Sequence, residues 1–459
     1  MFKHAIGNAL IVWLALCGTS HGGETATIGP LAEYVAKQDE SYRWARRREG
    51  RLGAALYTEL ALTSQTWRGI AWKHRLFVIR PSTLQPDADH GLLFIAGGRW
   101  DEESPNEEQL PDKARRLAKV AEKFRSPVVL LLNVPRQPMF GDKYEDRIIS
   151  LTFDKYLETR DAEWPLLLPM VKSAARAMDA VGEYAEEARR LPIETYTATG
   201  ASKRGWTTWL LGTVDRRVTA IAPMVIDVLN MARHMEHQRD TWGDFSHKIR
   251  DYTERGLQDR IGTPAGEALL SIVDPYRYRR SLKQPKLIII GTNDPYWPLD
   301  ALNLYWSDLL GDKYILYAPN GRHDLMDSPR LMGTLHALHQ HAATGRPMPD
   351  LSWEFSTEDN ELSLHMNSVP PPHEMRAWVA HSPTRDFREA RWTASPMGHD
   401  GGRSVYELKT PSTGFAAVFG EAEYRADPLP CYLSTNVRIV GGSPDPDAPD
   451  PAKPKTEIE

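Results

Sequence analysis

A chain of 459 residues with 41 % hydrophobic content is long enough to bury a large core and to form more than one domain. Its net charge of −5 leaves no basic excess to neutralise phosphates, which argues against a nucleic-acid partner. Of its two cysteines, Cys17 and Cys431, removal of the residues ahead of Glu24 would leave Cys431 alone, so the core is expected to hold without disulfide staples.

Lys3 and His4 precede an apolar run from Ala5 to Cys17, broken by Gly7 and Asn8, and a small polar stretch follows up to Glu24. That three-part layout predicts a signal peptide over 1–23 and a secreted or periplasmic destination. Leu16 stands where a lipobox needs a small residue, so lipidation at Cys17 ranks second to cleavage. The run is too short to span a bilayer comfortably, and no later stretch is apolar enough to form a membrane span.

Glu24 to Arg51 is charged and reads as a helical lead-in. Ala55 to Ser64 and Trp72 to Arg80 are β-rich and read as an antiparallel hairpin about residues 65–71. Gly91 to Trp100 and Pro127 to Asn133 are continuous apolar strands, buried on both faces as in a parallel sheet, with a helix over Asp112 to Arg125 between them. A polar segment leads to a long helix from about Trp164 to Arg190. Glu194 to Thr199 is a strand, Lys203 to Leu211 a helix, and Val218 to Ile226 a strand ending at Asp227. A helical insertion at about 230–278 would roof a site. Lys286 to Gly291 and Lys313 to Ala318 are the last buried strands, and a helix over Leu325 to Ala343 closes the unit. Residues 24–345 thus form a doubly wound, mostly parallel α/β domain. After the linker Gly345-Arg-Pro-Met-Pro349 the period changes to two, which predicts a small all-β sandwich over 350–440; the Pro/Asp/Lys-rich tail, 441–459, is expected to be disordered.

Ser202 lies between Gly200 and Gly205 at the switch from strand to helix, the setting of a nucleophile elbow with the spacing G-x-S-x-x-G. Serine is a poor nucleophile at neutral pH, so it needs a histidine base oriented by a carboxylate. Asp294 and His323 follow the next buried strands, and the carboxyl ends of such strands form the ligand crevice. The order Ser, Asp, His is that of the α/β-hydrolases. Asp227, also at a strand end, is a rival for the acid. The oxyanion donors would be the Lys203 N–H and an N–H of the Gly98-Arg99 turn. Arg204, Trp206 and Trp297 are expected to bind substrate; Lys203 and Arg204 could instead pair with Asp215 or an acid of the insertion. Ordinary packing accounts for most of the 14 tryptophans. His234 with His237, and His336 with His339, read as solvated helix faces, and neither a metal nor another cofactor is expected. Asp300 and Asp324 read as solvated or structural.

Thr199-Gly-Ala-Ser-Lys-Arg-Gly-Trp-Thr-Thr-Trp-Leu210, with residues 218–231, Pro169-Met170, Ala177-Met-Asp179, Val273-Asp-Pro-Tyr276 and Asn320 to His323, resembles the PhoPQ-activated pathogenicity-related protein family, the PqaA-like α/β-hydrolase relatives. The likeness covers about 50–345. Asp294-Pro-Tyr-Trp-Pro-Leu-Asp300 departs from the family's Asp-Glu-Phe-Phe wording while keeping both aspartates. The resemblance implies an exported serine-hydrolase-like protein. The Ser-Lys-Arg elbow is also similar to the Ser-Arg elbow of glucuronoyl esterases, which implies carbohydrate-linked or acidic esters. The resulting expectation is a carboxylic-ester hydrolase acting through an acyl-enzyme. A peptidase or acyltransferase on the same triad, or a non-catalytic binding protein, are the alternatives.

Overall fold

The computed structural model describes residues 29–84, 89–101, 109–325 and 329–443. The signal-peptide and Cys17 readings, and the tail from residue 444, lie outside them.

The charged lead-in is helical only over α1 (Pro30–Ala36). Residues expected to continue that helix form a strand, β1 (Arg43–Leu52), antiparallel to β2 (Ala55–Trp67). The reason is non-local: Arg47 and Arg48 reach across to Glu59 on β2, and Arg75 on β3 (Ile70–Arg80) meets the same buried carboxylate. The β2–β3 turn is shorter than the expected 65–71 loop. Arg68 and Gly69 both take positive φ, 51° and 74°, the geometry of a two-residue hairpin turn whose twist matches the strands. Both strands therefore run to the turn.

The main unit continues with β4 (His90–Ile95), α2 (Asp112–Phe124), β5 (Val128–Leu131), α3 (Asp146–Thr159), α4 (Leu167–Glu187), β6 (Thr195–Ala201), α5 (Lys203–Val214) and β7 (Val218–Met224). It ends with α6 (Met231–Trp242), α7 (Arg250–Thr253), α8 (Pro264–Val273), β8 (Lys286–Gly291), β9 (Lys313–Ala318) and α9 (Pro329–Thr344). Among the described residues, nine strands form one sheet in the order β1-β2-β3-β5-β4-β6-β7-β8-β9. Strands β4 to β9 run parallel to one another, and β1 to β3 are antiparallel, β3 pairing antiparallel with β5 as well. This is an α/β-hydrolase-type arrangement.

Every residue of β5 and β8 is buried, as continuous apolar runs require when helices cover both faces. Alternation divides the core: Leu93, Ile95, Val129 and Leu131 pack with α4 and α5, whereas Leu92, Val128 and Leu130 pack with α2 and α9. Helix α3 falls in the segment read as merely polar; its Ile149, Phe153 and Tyr156 are buried.

Beyond residue 349 come β10 (Asp350–Glu358), β11 (Glu361–Val369), β12 (Glu374–Ser382), β13 (Thr393–Pro396), β14 (Gly398–Asp400), β15 (Arg403–Lys409), β16 (Phe415–Tyr424), β17 (Cys431–Ser434) and β18 (Arg438–Gly441). They form two antiparallel sheets, β10-β11-β15-β14 and β13-β12-β16-β17, with β18 also on β16. Strand β16 faces two cores. Ala416, Val418 and Ala422 point between the sheets, while Phe415, Ala417 and Phe419 join the core of the main unit, where the Phe419 ring lies 5.0 Å from that of Tyr317. Buried Glu421, on the same strand, is held by Arg330 of α9 and by Arg376. The β module is therefore welded to the α/β unit.

Candidate active site

Strand β6 ends at Ala201 and α5 starts at Lys203, leaving Ser202 alone in the turn with φ 58° and ψ −128°. A non-glycine residue rarely adopts this region, which costs roughly 1–3 kcal/mol and recurs at functional turns. The turn is held by the Ser202 N–H, donated to the Met224 carbonyl at 2.8 Å. The wider glycine spacing has a steric reason. A Cβ on Gly200 would stand 2.8 Å from the Arg204 backbone, and one on Gly205 would stand 2.9 Å from the carbonyl oxygens of Gly200 and Met224. Both positions are closed to any side chain because α5 starts so close to the strand ends.

Asp294 follows β8 and His323 follows β9. The His323 Nδ1–H is donated to Asp294 Oδ2 at 2.8 Å, leaving Nε2 to accept from the Ser202 hydroxyl at 2.9 Å. The other Asp294 oxygen accepts from the Tyr296 N–H at 2.9 Å, and the Tyr296 ring stacks on the imidazole with centroids 4.2 Å apart. Asp294 is buried, which keeps water from competing for the imidazole. Asp227, the rival acid, makes no hydrogen bond with His323. It is buried beside the Tyr305 hydroxyl, outside the relay. Burial, reinforced by Asp294 and Asp300, pushes it up to about 7.

The parallel register of Ile95 with Gly200 puts Gly97 abreast of Ser202, two residues further along each strand. Ala96 N–H is donated to Leu131 and Trp100 N–H to Gln137, while the N–H groups of Gly97, Gly98 and Arg99 find no acceptor among the described residues. Asn133 Nδ2 braces the turn through the Arg99 carbonyl. The Lys203 N–H lies at the first turn of α5, where backbone donors lack helical acceptors. Both predicted oxyanion segments thus border the serine.

Arg204 is not available to substrate. Its buried side chain donates from Nε to the Val134 carbonyl and from both terminal nitrogens to Glu145, each at 2.7 Å. It passes so close under Gly97 that a Cβ there would meet the guanidinium at 2.3 Å. Lys203 Nζ is paired with Glu145 at 3.1 Å and Asp146 at 3.0 Å. The partners of the elbow cations are these acids at the start of α3, and Asp215 is bound to Arg217 instead. Burial would raise the Glu145 carboxyl, but the Arg204 and Lys203 charges outweigh it and hold it at about 2. Sequence reasoning missed Glu145 and Asp146, although two acids opening an apolar-periodic run are a helix-start signal.

Trp206 and Trp297 both line a cavity beside Ser202, under a roof formed by α6 to α8. Trp206 is fixed by donating its indole N–H to the Val273 carbonyl. The helical histidine pairs depart from the solvated-face reading. His234 and His339 are fully buried and His336 nearly so. His336 and His339 pack on Phe124, and His339 also on His90, because α9 turns that face to the sheet. His237 is bound to Asp300, which also pairs with Arg385. Among the described residues no group of three His, Cys, Asp or Glu is placed to hold a metal.

The loops bearing Asp294 and His323 are clasped by the β module. Asn293 Nδ2 donates to the Ala390 carbonyl at 2.7 Å. Asn320 donates to the Trp392 carbonyl at 3.1 Å and accepts its N–H at 2.8 Å. Both asparagines lie within three residues of a relay member.

Autocrine proliferation repressor protein A of Dictyostelium discoideum is 29 % identical over 431 residues, covering 86 % of each chain. Among solved structures, acetyl xylan esterase 1 from Thermoanaerobacterium sp. JW/SL YS485 aligns with 67 % of this chain and 91 % of its own, at 16 % identity and a TM-score of 0.46. Glucuronoyl esterase from Solibacter usitatus aligns with 68 % and 91 %, at 12 % identity and a TM-score of 0.38. The family model for PhoPQ-activated pathogenicity-related protein matches residues 31–388, extending the expected 50–345 at both ends and taking in all of β1. The chain belongs to the PhoPQ-activated pathogenicity-related protein family.

Proposed function

We propose that this protein is an exported serine esterase that works through an acyl-enzyme. The observation that carries the reading is the continuous relay from buried Asp294 through His323 to Ser202, at 2.8 and 2.9 Å, on a strained elbow. In this reading Ser202 Oγ attacks the ester carbonyl as its proton passes to His323 Nε2. Asp294 stays ionised and balances the imidazolium. The oxyanion is received by the Lys203 N–H and the N–H groups of the Gly97 to Arg99 turn, donors that need no rearrangement as charge develops. His323 then returns its proton to the leaving alkoxide. Water, activated by the same nitrogen, releases the acid and restores Ser202. Export rests on the leader-like sequence over 1–23.

Lys203 and Arg204 are already neutralised by Glu145 and Asp146, so they lend no support to an acid-bearing ester. The test is hydrolysis of p-nitrophenyl acetate and a methyl glucuronate ester by residues 24–459 and by the Ser202→Ala variant, with fluorophosphonate labelling of both. Turnover and labelling confined to the wild type are expected. A folded wild type that neither turns over nor labels would sink the proposal in favour of a binding protein.

A further inference from the structure

We infer that the site is selective for esters of a short apolar acyl chain, about four carbons long. The inference rests on the serine-esterase reading and assigns the cavity beside Ser202 to the acyl group. That cavity holds about 100 Å³ and is walled by Phe153, Trp206, Ile226, Met231, Leu270 and Trp297. An apolar cavity of about 150 Å³ accepts a benzene, so this one takes a somewhat smaller group, about four carbons. Its charged neighbours are all engaged. Lys203 is paired with Asp146, and Arg260 with Asp154 at 2.8 Å. A carboxylate placed there would lose water without meeting an unengaged cation, a cost of roughly 1–3 kcal/mol. The Trp297 indole N–H and Gln258 Oε1, unpartnered among the described residues, leave room for a single hydroxyl but not for a polyhydroxylated group.

The geometry also says which half of the ester enters. His323 must return its proton to the leaving oxygen, so the alcohol lies on the imidazole side of the serine. The cavity reaches the serine along the elbow, through Ser202, Lys203 and Trp206, and Tyr296, which also lines it, stands between it and the His323 imidazole on which it stacks. The cavity therefore faces the other substituent of the attacked carbonyl, the acyl chain.

The test uses the purified full chain with p-nitrophenyl acetate, butyrate, octanoate and palmitate, and a parallel series of acetates of longer alcohols. Active sites are counted with a fluorophosphonate. Each methylene buried should raise kcat/KM about fourfold, so butyrate should exceed acetate by about fifteenfold. Octanoate and palmitate should fall below butyrate because their chains exceed the cavity's volume of about 100 Å³. Leu257→Trp, which fills the cavity, should cut the butyrate-to-acetate ratio about tenfold; Met235→Trp, at the half-buried rim, is the second variant should the first not fold. A ratio of one or less in the wild type overturns the assignment while leaving an esterase. So does a ratio untouched by either variant, or a dependence on alcohol length alone. Absence of both turnover and labelling overturns the esterase reading and this inference together.

Discussion

Glu145→Gln removes the charge that neutralises the underside of the elbow. In the wild type this carboxylate receives both terminal nitrogens of Arg204, the Gln137 amide and the Lys203 ammonium. A fall from the ordinary 4.5 to about 2 corresponds to about 3 kcal/mol if taken whole. The Glu145 side chain is 36 % exposed, so solvent screening reduces that figure, and about 2 kcal/mol is expected at pH 7. The sign follows from linkage. Because the folded state holds the carboxyl below its unfolded value, the stabilisation is present in full above about pH 4.5 and is lost as pH falls towards 2. Urea unfolding of wild type and variant at pH 7 and pH 3.5 measures the gap, which should be about 2 kcal/mol at the first and clearly smaller at the second. Arg204 supports the Gly97 turn, so kcat should also fall about tenfold with KM little changed. A gap below about 0.5 kcal/mol at pH 7, or one independent of pH, would refute the reasoning.

Asp227 gives the opposite sign. Its folded value, pushed up to about 7, means that ionisation penalises folding progressively between about pH 4 and pH 7. Asp227→Asn should therefore unfold at about 2 kcal/mol or more above wild type at pH 8 and nearly level with it at pH 4; equal gaps at both would contradict a buried neutral carboxyl. Burial depresses His74, His90 and His336 to about 4 and His234 to about 3, so their contribution is intact above about pH 6.5 and lost as pH falls towards 4. Four histidines outweigh one aspartate, and the wild-type Tm should drop by several degrees between pH 7 and pH 5; a flat profile would show the histidines solvated. Asn320→Ala removes both bonds to Trp392 and should lower kcat about tenfold more than it raises KM, because it frees the loop that aims His323. A change confined to KM would assign Asn320 to substrate contact instead.

Most of the sheet was legible because its strands are continuous apolar runs ended by glycine or aspartate, and because helical periodicity separates them. Ser202 could be picked out by flanking glycines, and Asp294 and His323 by their places after buried strands. What escaped was decided between distant segments. Arg47 and Arg48 look like a solvated helix until Glu59 is set opposite them on a strand. Arg204 looks like a substrate cation until α3 brings up Glu145. The junction with the β module did leave a trace. Phe415-Ala-Ala-Val-Phe419 is apolar at every position, where a sandwich strand with one wet face would alternate, and a strand without a polar face must be covered twice.

The clasp on the relay loops also sets an order of events in time. Trp392 comes 69 residues after His323 (392 − 323), so at ribosomal rates of about 5–20 residues per second the base loop leaves the ribosome roughly 3–14 s before its brace exists. Serine, acid and base can all have been synthesised while the segment that holds them in line is still missing. For the proposed esterase, a nascent chain or a product cut at the residue 345–349 linker carries every reacting group and lacks the register that makes them a relay. On that reading the relay is braced only once the last quarter of the polypeptide has been made.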